Sequence, residues 1–223
     1  FIGAGAMFLH PPLEWSSAMP GSGVTAQQSP REAAVDALIA ALQDPDAGVR
    51  RQAAGALADL GNARAVPGLI AALRDTDADV RARVAGALAD LGDARAVEAL
   101  SAALSDESIN VRMHAAAALG DIGNGSAVPA LVAALKDKSP DVRRHAAGAL
   151  GDIGDPAALD GLTAAMKDAD ADIRRAVAAA IADIGGGTGA HPHPHPHPHP
   201  HPHPHPNPNP NPNPNPNPRP GGR

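Results

Sequence analysis

The sequence predicts an all-α protein built as a solenoid of five 31-residue repeats. The repeats follow one another without a gap and begin at Ala34, Ala65, Ala96, Ala127 and Ala158. A fixed period of this length is typical of solenoids, because one unit cannot bury its apolar face alone and stacked neighbours share a continuous core. Helical periodicity and turn residues that recur with the same period support this fold class.

Each repeat has the pattern of two helices joined by a tight turn. Between Val35 and Leu42 the apolar residues are spaced i, i+3, i+4 and i+7, which places them on one face of a helix. The turn residues 44–46 interrupt this pattern, and a second helical pattern extends from Val49 to Leu60. Gly61 follows it, and we expect this glycine to end the second helix in the left-handed conformation.

Residues suited to cap helices recur with the repeat. Short polar side chains precede every second helix and are predicted N-caps: Asp46, Asp77, Ser108, Ser139 and Asp170. Glycine follows every second helix, at Gly61, Gly92, Gly123, Gly154 and Gly185. Ser29, Pro30 and Glu32 form a capping-box pattern, so we expect the first helix to begin there and to extend to about Gln43.

Three charged positions recur in all five repeats. They are the aspartates 44, 75, 106, 137 and 168, the arginines 50, 81, 112, 143 and 174, and the aspartates 59, 90, 121, 152 and 183. Charges held in register in stacked units are able to bond within one unit and to the next, and the planar guanidinium group suits such a ladder. We interpret all three rows as structural, because a catalytic site does not need five copies.

The turn from Asp44 to Arg50 and the segment from Ala53 to Gly61 resemble HEAT repeats, and most closely the bacterial PBS-lyase HEAT-like type. The resemblance covers residues 34–188 and implies a right-handed α-solenoid whose second helices line the inner surface. Phycobilin lyases and deoxyhypusine hydroxylase share such repeats, and the hydroxylase binds two irons through His-Glu pairs. Here Ala115 and Ala146 follow the repeat histidines His114 and His145, so di-iron chemistry is unsupported. Lyase activity stays open.

Composition excludes several classes of function. The sequence has no cysteine, which excludes disulfides, thiolate metal sites and cysteine nucleophiles. The formal net charge of −6 argues against a protein that binds nucleic acid through its phosphates. The aromatic residues Phe1, Phe8 and Trp15 all precede the repeats, so the repeats offer no platform for stacking bases. No Ser-His-Asp arrangement or phosphate-binding loop is recognisable, and we expect no enzyme activity and no tightly bound cofactor.

The chain divides into three parts: a leader and linker (residues 1–28), the repeat domain (29–188) and a tail (189–223). Residues 1–9 are uncharged and apolar but too short to cross a bilayer. Because the chain begins with Phe1, we expect a fragment or a processed product that has lost part of a membrane or signal segment. This expectation favours a membrane-anchored or extracytoplasmic bacterial protein. The alternatives are a disordered leader, or one packed on the first repeat, in a cytoplasmic protein.

The tail consists of eight His-Pro and six Asn-Pro dipeptides after a glycine-rich hinge. Proline at alternate positions blocks both helix and sheet, so we expect a disordered, extended polyproline segment. Neutral imidazoles would bind Zn²⁺, Ni²⁺ or Cu²⁺ loosely; these imidazoles belong to His191, His193, His195, His197, His199, His201, His203 and His205. The alternative interpretation is a simple spacer.

The sequence also predicts a binding groove on the inner face of the second helices. Outward-facing side chains align there in two rows, next to a floor of glycine and alanine at positions 55, 86, 117, 148 and 179. The candidate groove residues are Arg51, Gln52, Arg83, Met113, His114, Arg144, His145 and Arg175. Their basic character suits an acidic helix or extended segment of a partner protein. The alternative is an ordinary solvated surface. His114 and His145 are likewise interpreted as a solvated pair rather than as a metal site.

The repeats therefore favour a protein-interaction scaffold. A bilin-lyase-like or other HEAT-repeat enzyme is one alternative. Another is the soluble repeat region of a larger membrane-anchored bacterial protein, such as a metallopeptidase sensor of the BlaR type. The last predicted helix is almost wholly apolar around residues 176–184, so we expect either lost repeats or a cover at that end of the array.

Overall fold

The computed structural model describes residues 29–186, which form ten α-helices and no β-strand. The helices are α1 (Pro30–Ala41), α2 (Ala47–Leu60), α3 (Val66–Ala72), α4 (Ala78–Leu91), α5 (Val97–Ala103), α6 (Ile109–Ile122), α7 (Val128–Ala134), α8 (Pro140–Ile153), α9 (Leu159–Ala165) and α10 (Ala171–Gly185). Consecutive pairs form the five helix–turn–helix repeats, so the predicted all-α solenoid is confirmed. The leader and the whole tail lie outside the described residues.

Every second helix begins at a predicted N-cap. The carboxylates of Asp46, Asp77 and Asp170 accept backbone N–H groups of the first turn of α2, α4 and α10, respectively. Ser108 and Ser139 occupy the same position with extended backbone, but their hydroxyl groups accept no hydrogen bond from α6 or α8. The expectation of a side-chain cap was therefore wrong at the two serines, where backbone geometry alone marks the start of the helix.

Glycine ends four of the five second helices as predicted. Gly61, Gly92, Gly123 and Gly154 have positive φ angles of 61–69°, a region that strains any residue with a Cβ atom. The prediction was wrong for Gly185, which is still part of α10, and the capping residue Gly186 has a φ of −74°. The left-handed turn is needed where the chain must reverse into the next repeat, and no described repeat follows α10.

The first helix is longer than its counterparts, as predicted, but ends earlier than expected. Ser29 and Glu32 form the predicted capping box, and Pro30 is the first helical residue. The helix ends at Ala41 rather than near Gln43, because Leu42 and the two residues after it close into a turn. The helices α3, α5, α7 and α9 have only seven residues each, and a 3₁₀ turn leads into each of them.

The core is one continuous layer between the two rows of helices. The three internal repeats contribute two fully buried leucines each, and the first and last repeats contribute one each: Leu57, Leu69, Leu88, Leu100, Leu119, Leu131, Leu150 and Leu162. Small residues let the second helices approach closely. A Cβ atom on Gly120 would lie 2.9 Å from the Cα atom of Ala149, so α6 and α8 are in backbone contact there.

The second helices pack side by side along the whole array, whereas the first helices barely touch one another. This difference curves the solenoid and places α2, α4, α6, α8 and α10 on its concave face. The second helices therefore line the inner surface, as the resemblance implied. Within residues 29–186 no helix combines the length and apolarity required to cross a bilayer.

Candidate functional site

The concave face presents aligned rows of side chains from successive second helices. Residues 52, 55 and 59 of α2 are spaced by three and four, so they share the helix face opposite the buried Leu57. The same positions recur in every repeat, and each position forms a row that runs along the solenoid.

The predicted groove residues lie on this face and differ in exposure. The exposed members are Arg51, Gln52, His114, Arg144 and Arg175. Arg83, Met113 and His145 are half-buried. The structure thus brings the predicted residues together as two neighbouring rows, with Ala82 and Ala176 filling the remaining repeats.

Aspartates that the sequence reasoning missed balance the arginines of the first row. Arg51 lies 4.0 Å from the carboxylate of Asp79 in the next repeat, and Arg144 lies 2.9 Å from that of Asp141 in its own helix. Arg175 pairs with Asp172 at the same spacing. The i, i+3 spacing of the last two pairs was the available signal. All three pairs are about half exposed or more, so each contributes little to stability and is open to competition by another carboxylate.

The two repeat histidines adopt the same hydrogen-bonded orientation. Nδ1 of His114 lies 2.7 Å from the carbonyl oxygen of Asn110, and Nδ1 of His145 lies 2.7 Å from that of Asp141. Since a carbonyl only accepts, Nδ1 carries the proton and Nε2 is left as the acceptor nitrogen. Among residues 29–186 no group of three or more His, Asp or Glu side chains is arranged to hold a metal ion. The predicted metal-binding histidines 191–205 lie outside the described residues.

The floor of the groove is open in its middle and covered at one end. A Cβ atom on Gly86 or Gly148 would meet no atom within 4 Å, so a ligand has direct access to the backbone there. At Gly55 the guanidinium group of Arg83 lies over the helix, and a Cβ atom would come within 2.6 Å of its Nη2. The expected bare floor is therefore closed at Gly55 by a side chain from the next repeat.

A row of aspartates lies on the other side of this floor. Asp59, Asp90, Asp121 and Asp152 are exposed, and Asp183 is half-buried. They stand seven residues after the Arg and His row, or about 10 Å along the helix axis. One side of the groove therefore carries arginines paired with aspartates together with the two histidines, and the other side is acidic. The sequence reasoning assigned this second row of aspartates a structural role only.

The remaining charged positions form the predicted ladder between repeats. In each of four arginines, Nε and Nη2 donate to the carboxylate of the aspartate 25 residues later, and Nη1 donates to a carbonyl of its own turn. The pairs are Arg50–Asp75, Arg81–Asp106, Arg112–Asp137 and Arg143–Asp168, with closest N–O distances of 2.6, 2.7, 2.8 and 2.7 Å. Their side chains are 4–16 % exposed, so these pairs tie the turns of adjacent repeats together in a largely dry environment.

The ladder lowers the pKa of all four of these aspartates. For Asp75 and Asp168 the main cause of the lower pKa is the hydrogen bond from the arginine of the preceding repeat. For Asp106 and Asp137 burial acts most strongly and would raise the pKa, but the arginine and a backbone N–H together outweigh it. The carboxylates therefore stay ionised well into the acid range.

Two clefts open on the opposite, convex side, which the sequence did not predict. One of about 450 Å³ lies between α5 and α7, and one of about 440 Å³ lies between α7 and α9. They follow from the splaying of the first helices. Their walls include Lys136 and Lys167, together with arginines and aspartates of the ladder.

Comparison with known proteins agrees with this architecture. A family model described as HEAT repeats matches residues 35–108, 66–136 and 97–182. No curated protein sequence matches the chain.

Among solved structures, the complex of CpcE and CpcF of phycocyanin lyase from Nostoc sp. PCC7120 is 26% identical, with a TM-score of 0.61 over 79% of this chain and 71% of that chain. A designed armadillo repeat protein in complex with the peptide (KR)4 is 22% identical, with a TM-score of 0.55 over 69% of this chain and 82% of that chain. At this identity the designed protein shows the fold alone. Because the family model covers all five helical pairs, the chain belongs to the HEAT-repeat family.

Proposed function

We propose that this protein is an interaction scaffold whose concave groove binds a helical or extended segment of a partner protein that carries acidic residues. The observation that supports the proposal is the row of arginine and histidine side chains, exposed at His114, Arg144 and Arg175, along a floor that is open at Gly86 and Gly148. Helices packed about 8–10 Å apart give five repeats a groove of about 40–50 Å, long enough for a segment of several turns.

The ion pairs already present in the groove favour exchange with a partner. Arg144 and Asp141 are about half exposed, and Arg175 and Asp172 are more so. A partner carboxylate is able to replace Asp141 or Asp172 at little cost, because exposed pairs of this kind are worth at most about 1 kcal/mol. Acidic residues of the partner would face Arg144 and Arg175, and its basic residues would face the aspartate row across the floor.

Binding of an acidic probe peptide tests this assignment. A fluorescein-labelled peptide of alternating Glu and Ala would be titrated with the full chain, and its fluorescence anisotropy would be recorded. We expect binding that weakens with salt and that falls by about tenfold in the double variant Arg144→Gln/Arg175→Gln.

A matched variant on the convex face provides the control. Lys136→Gln/Lys167→Gln also removes two positive charges, but from the walls of the clefts between the first helices. It should leave binding within about twofold of the unmodified protein, since it lies on the other side of the array. Equal losses in the two double variants would show that net charge alone attracts the peptide, and the groove would be the wrong site.

A bilin-lyase-like activity is the second candidate function. It is supported by the similarity to the CpcE–CpcF structure, which extends over 79% of the chain. Incubation with a free bilin and an acceptor protein should then shift the bilin absorption and attach the bilin covalently to the acceptor. A spectrum that is unchanged by the protein would remove this candidate and leave the scaffold.

A further inference from the structure

The two ends of the described solenoid are complementary to each other. Each internal junction between repeats uses one arginine, one aspartate and two apolar side chains in fixed positions. The last repeat presents one half of this set, and the first repeat presents the other half.

At the C-terminal end, Arg174 has no ladder partner within the described part of the chain. Its Nη1 donates to the carbonyl oxygens of Asp168 and Ala169, as in every other repeat. Its Nε and Nη2 atoms, which in the other four arginines hold the next aspartate, form no hydrogen bond within residues 29–186. The guanidinium group is thus oriented by its own turn and presents two donors at the end of the array.

At the N-terminal end, Asp44 is the matching acceptor. Its Oδ1 accepts the backbone N–H of Asp46, as in the other repeats. Asp75, its counterpart in the next repeat, also receives Nε and Nη2 of Arg50 at 2.6 and 2.7 Å. Within the described part of the chain no arginine donates to the carboxylate of Asp44.

The apolar side chains of the junction follow the same rule. Leu42, Leu73, Leu104 and Leu135 are only 2–8 % exposed because the next repeat covers them, whereas Met166 at the same position is 39 % exposed. Val80, Val111, Val142 and Ile173 are at most 1 % exposed because the preceding repeat covers them, whereas Val49 is 42 % exposed. Met166 and Val49 therefore occupy the two apolar positions, one on each side, that every internal junction buries.

We infer that copies of this chain associate head to tail, with Met166 and Arg174 of one copy against Val49 and Asp44 of the next, in the geometry of an internal repeat junction. The charges and the apolar positions fit in the same register, so a second copy satisfies both ends at once. Such an interface is heterologous, and it builds open chains of molecules rather than a closed two-fold dimer.

Sedimentation velocity of the full chain tests the inference at protein concentrations from about 1 μM to about 1 mM, the range in which association of micromolar affinity is detectable. The weight-average mass should rise with concentration and pass that of a dimer. Arg174→Gln should weaken association by about tenfold or more, because Asp44 of the next copy would be left buried without its partner. A chain that stays monomeric throughout would show that something else covers both ends, and would overturn the inference.

Three exposed apolar residues supply matched variants for the direction of association. Val49→Glu places a carboxylate at the N-terminal end of the repeat array, and Met166→Glu places one at the C-terminal end. Each variant alone should be monomeric. Ile109→Glu is the control, since Ile109 is 45 % exposed but lies at the start of α6 in the middle repeat. It should associate like the unmodified chain.

Mixing the two end variants distinguishes head-to-tail contact from any symmetric dimer. The Val49→Glu chain keeps an intact C-terminal end of the repeat array, and the Met166→Glu chain keeps an intact N-terminal end. An equimolar mixture should therefore form heterodimers and no larger species. A mixture that remains monomeric, or single variants that still associate, would refute the proposed interface. Far-UV circular dichroism confirms that each variant is folded.

Discussion

At the scale of single residues, Arg112 is the most buried of the four paired arginines in the ladder. Its side chain is 4 % exposed and makes four hydrogen bonds of 2.8–3.1 Å, two to the Asp137 carboxylate and two to carbonyl oxygens of its own turn. Arg112→Met would remove all four hydrogen bonds and leave the Asp137 carboxylate buried without its counter-charge, with the backbone N–H of Ser139 as its remaining donor. We expect the free energy of unfolding in urea to fall by about 3 kcal/mol or more.

Arg174 is the natural control for that prediction, because it makes the same carbonyl contacts without a carboxylate. Arg174→Met, measured at low protein concentration, should reduce the free energy of unfolding by only about 1 kcal/mol. The difference between the two variants then measures the ion pair with Asp137. Equal losses in both variants would mean that the carboxylate contributes nothing to the ladder.

The ladder also makes stability depend on pH in the acid range. The pKa values of Asp75, Asp106, Asp137 and Asp168 are lower in the folded state than the ordinary value of about 3.9. The folded protein therefore binds fewer protons than the unfolded chain at these groups. Their contribution is fully present above about pH 4 and is lost as the pH falls through the folded-state values.

Thermal unfolding followed by circular dichroism between about pH 5 and pH 2 checks this dependence. We expect Tm to be nearly constant at the upper end and to fall steadily below about pH 4. Asp137→Asn should lower Tm at pH 5 and make the acid-induced fall shallower. A variant that loses as much Tm between pH 5 and pH 2 as the unmodified chain would contradict the assignment to the ladder.

At the scale of helices, glycine has two different roles that the sequence alone does not separate. Gly123 ends α6 with a φ of 66°, and a Cβ atom there would meet no atom closer than 3.9 Å. Gly123→Ala should therefore lower the free energy of unfolding by about 1–2 kcal/mol through backbone strain alone. Gly185 is helical, and Gly185→Ala should raise the free energy of unfolding by about 0.5 kcal/mol.

Urea unfolding of both variants, compared with the unmodified chain, measures the two changes in the free energy of unfolding. The opposite signs are the essential result, because the two glycines occupy the same repeat position in the sequence. A stabilising Gly123→Ala would contradict the left-handed turn that the structure assigns to it.

The helices and their order could be predicted from the sequence because each depends on residues within one turn of the element. The spacing of apolar residues from Val35 to Leu42, the caps at Asp46 and the glycine at Gly61 all act locally. The failures at Ser108 and Gly185 come from context: Ser108 leaves the cap to backbone geometry, and no described repeat follows Gly185.

At the scale of the whole molecule, some contacts between repeats could be predicted from the sequence and others could not. The register of Arg112 and Asp137 was predictable, since a fixed period places equivalent positions side by side. The position of Arg83 over Gly55 was not, because it depends on which of several rotamers the long side chain adopts across the junction. The acidic side of the groove was missed because Asp59 and its equivalents repeat without exception and so resemble structural positions.

Apart from His10 in the leader, the histidines are divided between the repeats and the tail, and we expect only the tail to bind metal. His114 and His145 each use Nδ1 for a carbonyl of their own helix, which leaves one nitrogen per ring and no third ligand within residues 29–186. The eight tail histidines alternate with proline and offer many neutral imidazoles. Zinc titrated by calorimetry at about pH 7.5 should bind to the full chain and should be released as the pH falls through about 6.5.

The sequence itself provides a matched variant for this test, because the His-Pro dipeptides continue directly into Asn-Pro dipeptides. Replacing His191 and the seven histidines that follow it by asparagine keeps the proline pattern and removes the imidazoles. Zinc binding should disappear in this variant and should be unchanged in His114→Asn/His145→Asn. If the repeat variant loses zinc and the tail variant keeps it, the metal binds in the groove beside Arg144 and the assignment of metal binding to the tail is wrong.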